Sequence, residues 1–139
     1  MKNKEIFIKE YIIDNDIEKN IFTTDKKRVF FKEEIFDHAF TRDFTGVRIF
    51  DFYRARRVYW IKPVIEERVQ GATVLFKDER YKIPGKKAKS RRIYYVPEKD
   101  YVVILDYLTG QKKDFKFITH YLIINEWIKR KVKKQFGIE

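Results

Sequence analysis

From Gly71 onward the chain is cut into short extended runs whose ends carry turn chemistry, and this punctuation restricts the fold more than any other feature. The runs cover 72–76, 81–83, 91–96, 101–108 and 115–122, separated by Pro84-Gly85, by Pro97-Glu98-Lys99-Asp100 and by Thr109-Gly110. Proline presets the first corner of a tight turn and glycine supplies the left-handed one, so each run is brought back beside its predecessor. The pattern predicts an antiparallel meander of four to five strands. Side chains alternate along a strand, so in the last run Phe117, Thr119 and Tyr121 share one face while Ile118, His120 and Leu122 share the other. Thr119 and His120 can then face one site only if a bulge intervenes.

The first half has longer periods. Residues 6–13 read as a strand or short helix ended by the turn cluster Asp14-Asn15-Asp16, and 21–23 and 29–31 read as an extended arm or hairpin. Glu33 and Glu34 favour a helix start through the macrodipole, and the spacing predicts a first helix running to about Phe44, broken by Gly46. His38 and Arg42, four apart, would share a face edged by Ile35, Ala39 and Phe40. In 47–61, Ile49, Tyr53, Arg56 and Trp60 recur at helical offsets with an arginine in their midst, which predicts a second helix stopped near Pro63. Residues 124–136 read as a basic amphipathic helix with Ile124, Trp127, Ile128 and Val132 inward and Lys129, Arg130, Lys131, Lys133 and Lys134 outward. The expected fold is therefore α+β: an N-terminal extended segment and two helices, an antiparallel sheet, and a basic C-terminal helix, in one domain spanning 1–139.

Charge bounds the partner. Against 44% hydrophobic residues, enough for a folded core, stand 32 Lys and Arg and 21 Asp and Glu, a formal net charge of +11. Polyanions are the natural partners of such a surface, nucleic acid first and an acidic protein second. Lys86, Lys87, Lys89, Arg91 and Arg92 place five cations within seven positions, either as a mobile hairpin tip or as a grip on phosphates. Arg48, Arg54, Arg56 and Arg57 form the most arginine-dense stretch. Most of these read as solvated, and Arg56 is the exception by its place on the apolar face. With no cysteine and two histidines, disulfides and thiolate metal sites are excluded and a catalytic zinc has few ligands. No apolar run reaches membrane-span length and the first residues lack a signal-peptide core, so the expectation is a cytoplasmic protein with no membrane partner.

His38 and Arg42 are the sharpest chemical pair. An imidazole moves a proton near neutral pH and a guanidinium holds an anion bidentately, which suits chemistry on a phosphate. The ordinary reading of the same pair is a surface contact on an amphipathic helix.

The order of these features, a helix with His38 and Arg42, an arginine-rich segment, then a meander closing in Phe117-Ile118-Thr119-His120-Tyr121, resembles the phage-associated branch of the superfamily that unites barnase, EndoU, colicin-type and RelE-type ribonucleases. The resemblance covers about 29–122. It implies a helical front half packed on a four- or five-stranded antiparallel sheet, with His38 as the catalytic histidine, Arg42 as its cationic neighbour, and Thr119 and Tyr121 near the scissile phosphate. Two positions depart from the pattern. Asp43 stands where a second histidine would follow the arginine, and His120 stands between Thr119 and Tyr121 where a small residue is usual, which makes His120 a further candidate for proton transfer.

The implied activity is that of an endoribonuclease of phage or mobile-element origin, a toxin among the candidates. The RNA 2′-hydroxyl would attack its own 3′-phosphate to leave a 2′,3′-cyclic phosphate, with neither metal nor cofactor. Because the nucleophile already sits beside phosphorus, such a site needs a base, an acid and cations for the charge that builds on the phosphoryl oxygens. Arg42 with Arg48 or Arg56 would hold the phosphate, Thr119 would donate to it, and Tyr121 would orient or stack on the nucleotide. RNA, with tRNA as one candidate, is the implied substrate, and an acidic inhibitor or immunity protein is a candidate partner. The alternative is a nucleic-acid-binding protein of a phage or mobile element without catalysis.

Overall fold

Phe7 and Tyr11 stand one helical turn apart, and in the computed structural model, which describes residues 2–108 and 114–138, both are buried on one face of helix α1 (Lys2–Tyr11). Of the two readings of 6–13, strand or short helix, the helix is the one present, and the extended pieces begin after it. Strands β1 (Ile13–Asp14) and β2 (Ile17–Glu18) follow as a small ladder, turned by Asn15 and Asp16 in left-handed conformations. Next come β3 (Ile21–Phe22) and β4 (Arg28–Phe30), paired antiparallel.

The two long helices expected between 33 and 61 are corrected. The first is a single turn, α2 (Ile35–Ala39), and residues 41–50 form a hairpin of β5 (Thr41–Phe44) and β6 (Val47–Phe50). Thr45 and Gly46, with φ of 48° and 84°, supply the two consecutive left-handed residues of the turn whose twist best matches paired strands. Gly46 thus turns the chain back rather than merely ending a helix. After the hairpin, α3 (Phe52–Ala55) starts at Asp51, whose carboxylate accepts from the Tyr53 and Arg54 amides, as an N-cap should. A 3₁₀ turn at Val58–Trp60 leads into α4 (Ile61–Ile65). Pro63 lies inside α4 rather than at its end. It occupies the first turn, where a backbone N–H has no intrahelical acceptor to lose. The Lys62 amide, also left over there, donates to the Tyr11 hydroxyl at 3.2 Å, and that hydroxyl donates to the Val58 carbonyl at 2.6 Å.

The meander consists of β7 (Leu75–Tyr81), β8 (Lys89–Val96), β9 (Tyr101–Tyr107) and β10 (Phe115–Leu122). The two runs expected at 72–76 and 81–83 are one edge strand. Its polar middle reads as a break but stays paired, because Asp78 and Glu79 point to opposite faces and bind Arg92 and Arg91 of β8. Pro84-Gly85 makes the turn between β7 and β8, with Gly85 at φ 82° and the Lys86 amide closing on Ile83. The turn expected at Thr109-Gly110 lies outside the described residues. The six-stranded order is β3-β4-β10-β9-β8-β7, antiparallel except where β4 runs parallel to β10 at Phe115 and Lys116. The fold is α+β with a mostly antiparallel sheet.

One face of the sheet, with Tyr94, Val103, Leu105, Phe115 and Phe117, packs against α1 to α4 in the main core. The other, with Tyr95 and Val102, is covered in part by α5 (Glu126–Gln135). The face of α5 that does this is only partly the expected one, shared at Val132. Val132 and Phe136 pack on the sheet while Ile124, Trp127 and Ile128 are 72%, 63% and 40% exposed. Lys129, expected to face solvent, reaches Asp100 at 3.2 Å and so draws the helix round.

Arg92 is also corrected. It is buried, with Nε on Asp78 at 2.8 Å and Nη1 on Asp25 at 2.9 Å, so it ties the loop before β4 to the edge strand and grips no phosphate. Hydrogen bonding from Arg92 holds the Asp25 carboxyl well below the usual range. A group depressed in the folded state adds stability above its unfolded pKa of about 4, and that stability is lost as pH falls toward the folded value. Urea unfolding of Asp25→Asn across pH 2 to 6 should therefore show a flatter acid limb than the parent chain; identical limbs would contradict the assignment. Phe7 is fully buried among Tyr11, Phe31, Phe36, Phe40 and Phe117. Phe7→Ala should cost about 3–5 kcal/mol in the same measurement.

Candidate functional site

Beyond Lys116, β10 has no strand on its outer side among the described residues; α2 and α3 pack against β10, and the β5–β6 hairpin packs against α2. A helix as short as α2 leaves its last carbonyls without intrahelical donors. Two arginines take them. The Arg48 Nη2 donates to the His38 carbonyl at 3.0 Å and to the Thr41 carbonyl at 2.9 Å, while its Nε donates to the Thr41 hydroxyl at 3.0 Å. From α3, the Arg54 Nη1 reaches the Thr41 carbonyl at 2.8 Å and the His38 carbonyl at 3.4 Å, and extends to the Thr119 hydroxyl of β10 at 3.4 Å. Its Nε faces the Asp51 carboxylate at 3.3 Å, and the same guanidinium lies over the Tyr121 ring at 5.8 Å. Helix end, hairpin and last strand thus meet at one pair of cations, as cations belong at a helix C-terminus.

The His38 side chain is exposed and, with Asp37, Thr41 and Arg48, lines an open depression. Partial burial, then the positive charges of Arg48 and Arg54, lower its pKa below the ordinary 6.5. Near neutral pH the imidazole is therefore mostly in its proton-accepting form. Burial raises the Tyr121 pKa, which keeps its hydroxyl protonated. Burial also works against the charge on Arg54, and the Asp51 carboxylate opposes that effect.

The expected pairing of His38 with Arg42 on a helix face is corrected. The helix ends before Arg42, which sits on β5 opposite Ile49 and lies over the Phe44 ring at 5.7 Å. Arg48 takes the place beside His38. Arg56 is exposed at the C-cap of α3, one residue beyond a turn whose useful arginine is Arg54. Arg54 belongs to the arginine-rich stretch but was masked there by a helical period that the hairpin interrupts. The signal for it is the spacing from the capping Asp51, one helical turn earlier.

The last strand does contain a bulge. Phe117 pairs with Leu105 and Thr119 with Ile104, so Ile118 is the extra residue. Parity flips there, and His120 joins Phe117 on the core face while Thr119 and Tyr121 stay together on the other. His120 is 0% exposed among Phe40, Tyr101 and Phe117, with the Tyr101 hydroxyl 2.6 Å from its Nδ1. Burial, then Arg54 and Arg57, push its pKa down to about 3. It is a neutral core side chain, which removes it from the candidate proton-transfer groups. Lys86, Lys87 and Lys89 are exposed at the β7–β8 tip, whereas Arg91 pairs with Glu79 at 2.6 Å. Register places Lys89 and Arg91 on the Thr119 face. Among the described residues no group of three His, Cys, Asp or Glu side chains converges as a metal site, and no helix is long and apolar enough to cross a membrane.

Compared with protein-family models, with curated proteins and with solved structures, the chain gives no match in any of the three.

The two imidazoles should be distinguishable by NMR titration. His38 is expected to titrate with a midpoint below 6.5 that moves up in Arg48→Gln, because a repelling charge is removed. The His120 ring should keep its neutral shifts down to about pH 4, since its pKa is held at about 3. A His38 midpoint above 6.5, or a His120 signal titrating near neutrality, would contradict the geometry.

Proposed function

We propose that this chain is a metal-independent endoribonuclease of the barnase, EndoU, colicin and RelE type, acting at the edge where His38, Arg48, Arg54, Thr119 and Tyr121 meet. The observation that carries the reading is the Arg54 guanidinium, which spans from the His38 carbonyl to the Thr119 hydroxyl and so ties the turn bearing His38, whose side chain lines an open depression with Arg48, to the strand bearing Thr119 and Tyr121. Neutral His38 takes the proton of the RNA 2′-hydroxyl as its oxygen bonds to phosphorus. The bond from phosphorus to the 5′-oxygen breaks, and Tyr121 is assigned the donation of the proton that oxygen needs. Arg48 and Arg54 offset the charge that gathers on the phosphoryl oxygens, and Thr119 adds a hydrogen bond. Lys89 and Arg91 extend the positive surface along the same face, with Lys86 and Lys87 exposed at the adjoining tip, for the rest of the strand. A phage or mobile-element toxin with an acidic inhibitor is the biological setting that suits such an activity.

A second reading, binding of RNA without cleavage, draws on a separate observation. Arg48 and Arg54 spend donors on the carbonyls of α2 and Thr41, which is also what purely structural capping arginines do. Incubation of total RNA with the protein in excess chelator separates the two, with the new 3′ ends mapped. Cyclic-phosphate ends are expected, and His38→Ala should lower the rate by about a hundredfold or more, as loss of a positioned acid or base does. RNA retained but uncut, under conditions where the protein is folded, would leave only the binding reading.

A further inference from the structure

A more enclosed cavity lies elsewhere, between α4, residues 68–70 and the 3₁₀ turn Pro97–Lys99 that joins β8 to β9. Its volume is about 240 Å³. Buried Val64 and Tyr101 form the floor and half-buried Trp60 a wall, while Arg68, Gln70 and Lys99 are exposed at the rim. This is a single apolar slot with convergent polar groups, smaller than the ~300–1,000 Å³ of drug-sized pockets, and it admits one flat ring system. The indole already behaves as a cation-binding face: Arg57 lies 4.9 Å and Lys99 5.3 Å from its centre. Tyr101 meets it edge-on at 5.2 Å and fixes its orientation.

The rim is set up for an anion. Lys99 has no carboxylate partner among the described residues, because the neighbouring Glu98 is turned to the Thr73 amide at 2.9 Å. Arg68 pairs with Glu66 through one terminal nitrogen only. Gln70 contributes an amide with both donor and acceptor character, suited to the edge of a base. An indole ring, an amide for a base edge and, over that ring, an ammonium with no carboxylate partner among the described residues are the elements by which single nucleotides are held.

We propose that this cavity is a nucleotide-binding subsite, which takes one base stacked on Trp60 and its phosphate on Lys99, with Arg68 as a second cation. The nucleotide is either a free nucleoside monophosphate or one unit of a single-stranded RNA. The subsite goes beyond the cleavage reading and stands without it, because none of its side chains belongs to the His38 cluster. Tyr101 touches both regions, through the cavity floor and through His120.

Fluorescence supplies the test, since the chain has only two tryptophans, Trp60 and Trp127, and Trp127→Phe leaves Trp60 as the sole reporter. Adenosine and guanosine 5′-monophosphates should quench it saturably at millimolar concentration or below. The unphosphorylated nucleosides, and Lys99→Gln titrated with the nucleotides, should bind about threefold to tenfold more weakly. A short single-stranded RNA that quenches at lower concentration than the mononucleotide identifies a strand as the ligand, and equal potency identifies the free nucleotide. The mononucleotides contain no phosphodiester to cleave, so their quench is read separately from the cleavage reading. No saturable quench with either mononucleotide or RNA overturns the subsite, as does a quench that survives Lys99→Gln intact. Because Lys99 is exposed, its substitution leaves the fold in place, and far-UV circular dichroism checks this.

Discussion

The packing of Phe7 is the contact on which the rest of the structure depends. Its ring meets Tyr11 of its own helix, Phe31 beyond β4, Phe36 and Phe40 around α2, and Phe117 of β10, at centroid distances between 5.5 and 6.0 Å. Each of these rings removes some 150–250 Å² from water on burial. Only through them is a one-turn helix such as α2 held at all, since so short a helix has no independent stability. The hydrophobic core thus holds the turn bearing His38 against β10, where the polar contacts are made.

Electrostatics then decides what that contact looks like. Arg48 and Arg54 are like charges brought together, which is unfavourable unless acceptors are shared between them. The carbonyls at the end of α2 and at Thr41 are those acceptors, and the Asp51 carboxylate adds a counter-charge beside Arg54. Partial burial first, and then these same two charges, depress His38, so the capping of the helix also contributes to tuning the imidazole. A lysine at either position could not span the same carbonyls, because the guanidinium offers several donors in a rigid plane.

A one-residue irregularity has consequences as large. Without the bulge at Ile118, Thr119 and Tyr121 would share the core face with Phe117 and His120 would lie on the opposite one. With it, the imidazole is enclosed by aromatic rings and bonded to Tyr101, and the hydroxyl emerges next to Arg54. Bulges re-aim side chains in this way without disturbing the pairing on either side.

The meander was legible in the sequence because its signals are local. Pro84-Gly85 and Pro97 to Asp100 mark corners wherever they occur, and β10 occupies Phe115–Leu122, the run the sequence marks as extended. Thr45-Gly46 is as local a signal, but the helical spacing of Ile49, Tyr53, Arg56 and Trp60 competes with it and conceals the hairpin. Other features are not local at all. The parallel pairing of β4 with β10 joins residues about eighty-six apart in the chain, Val29 with Phe115, and no periodicity encodes such a partner. The exposed stripe of α5 is settled by the Lys129 contact with Asp100, not by the hydropathy of the helix alone. The residue types at the candidate site, a histidine, arginines, a threonine and a tyrosine, were determined by the sequence. Which arginine stands beside His38, and which face His120 takes, only the tertiary structure decided, because both depend on where a turn and a bulge fall when distant segments pack together.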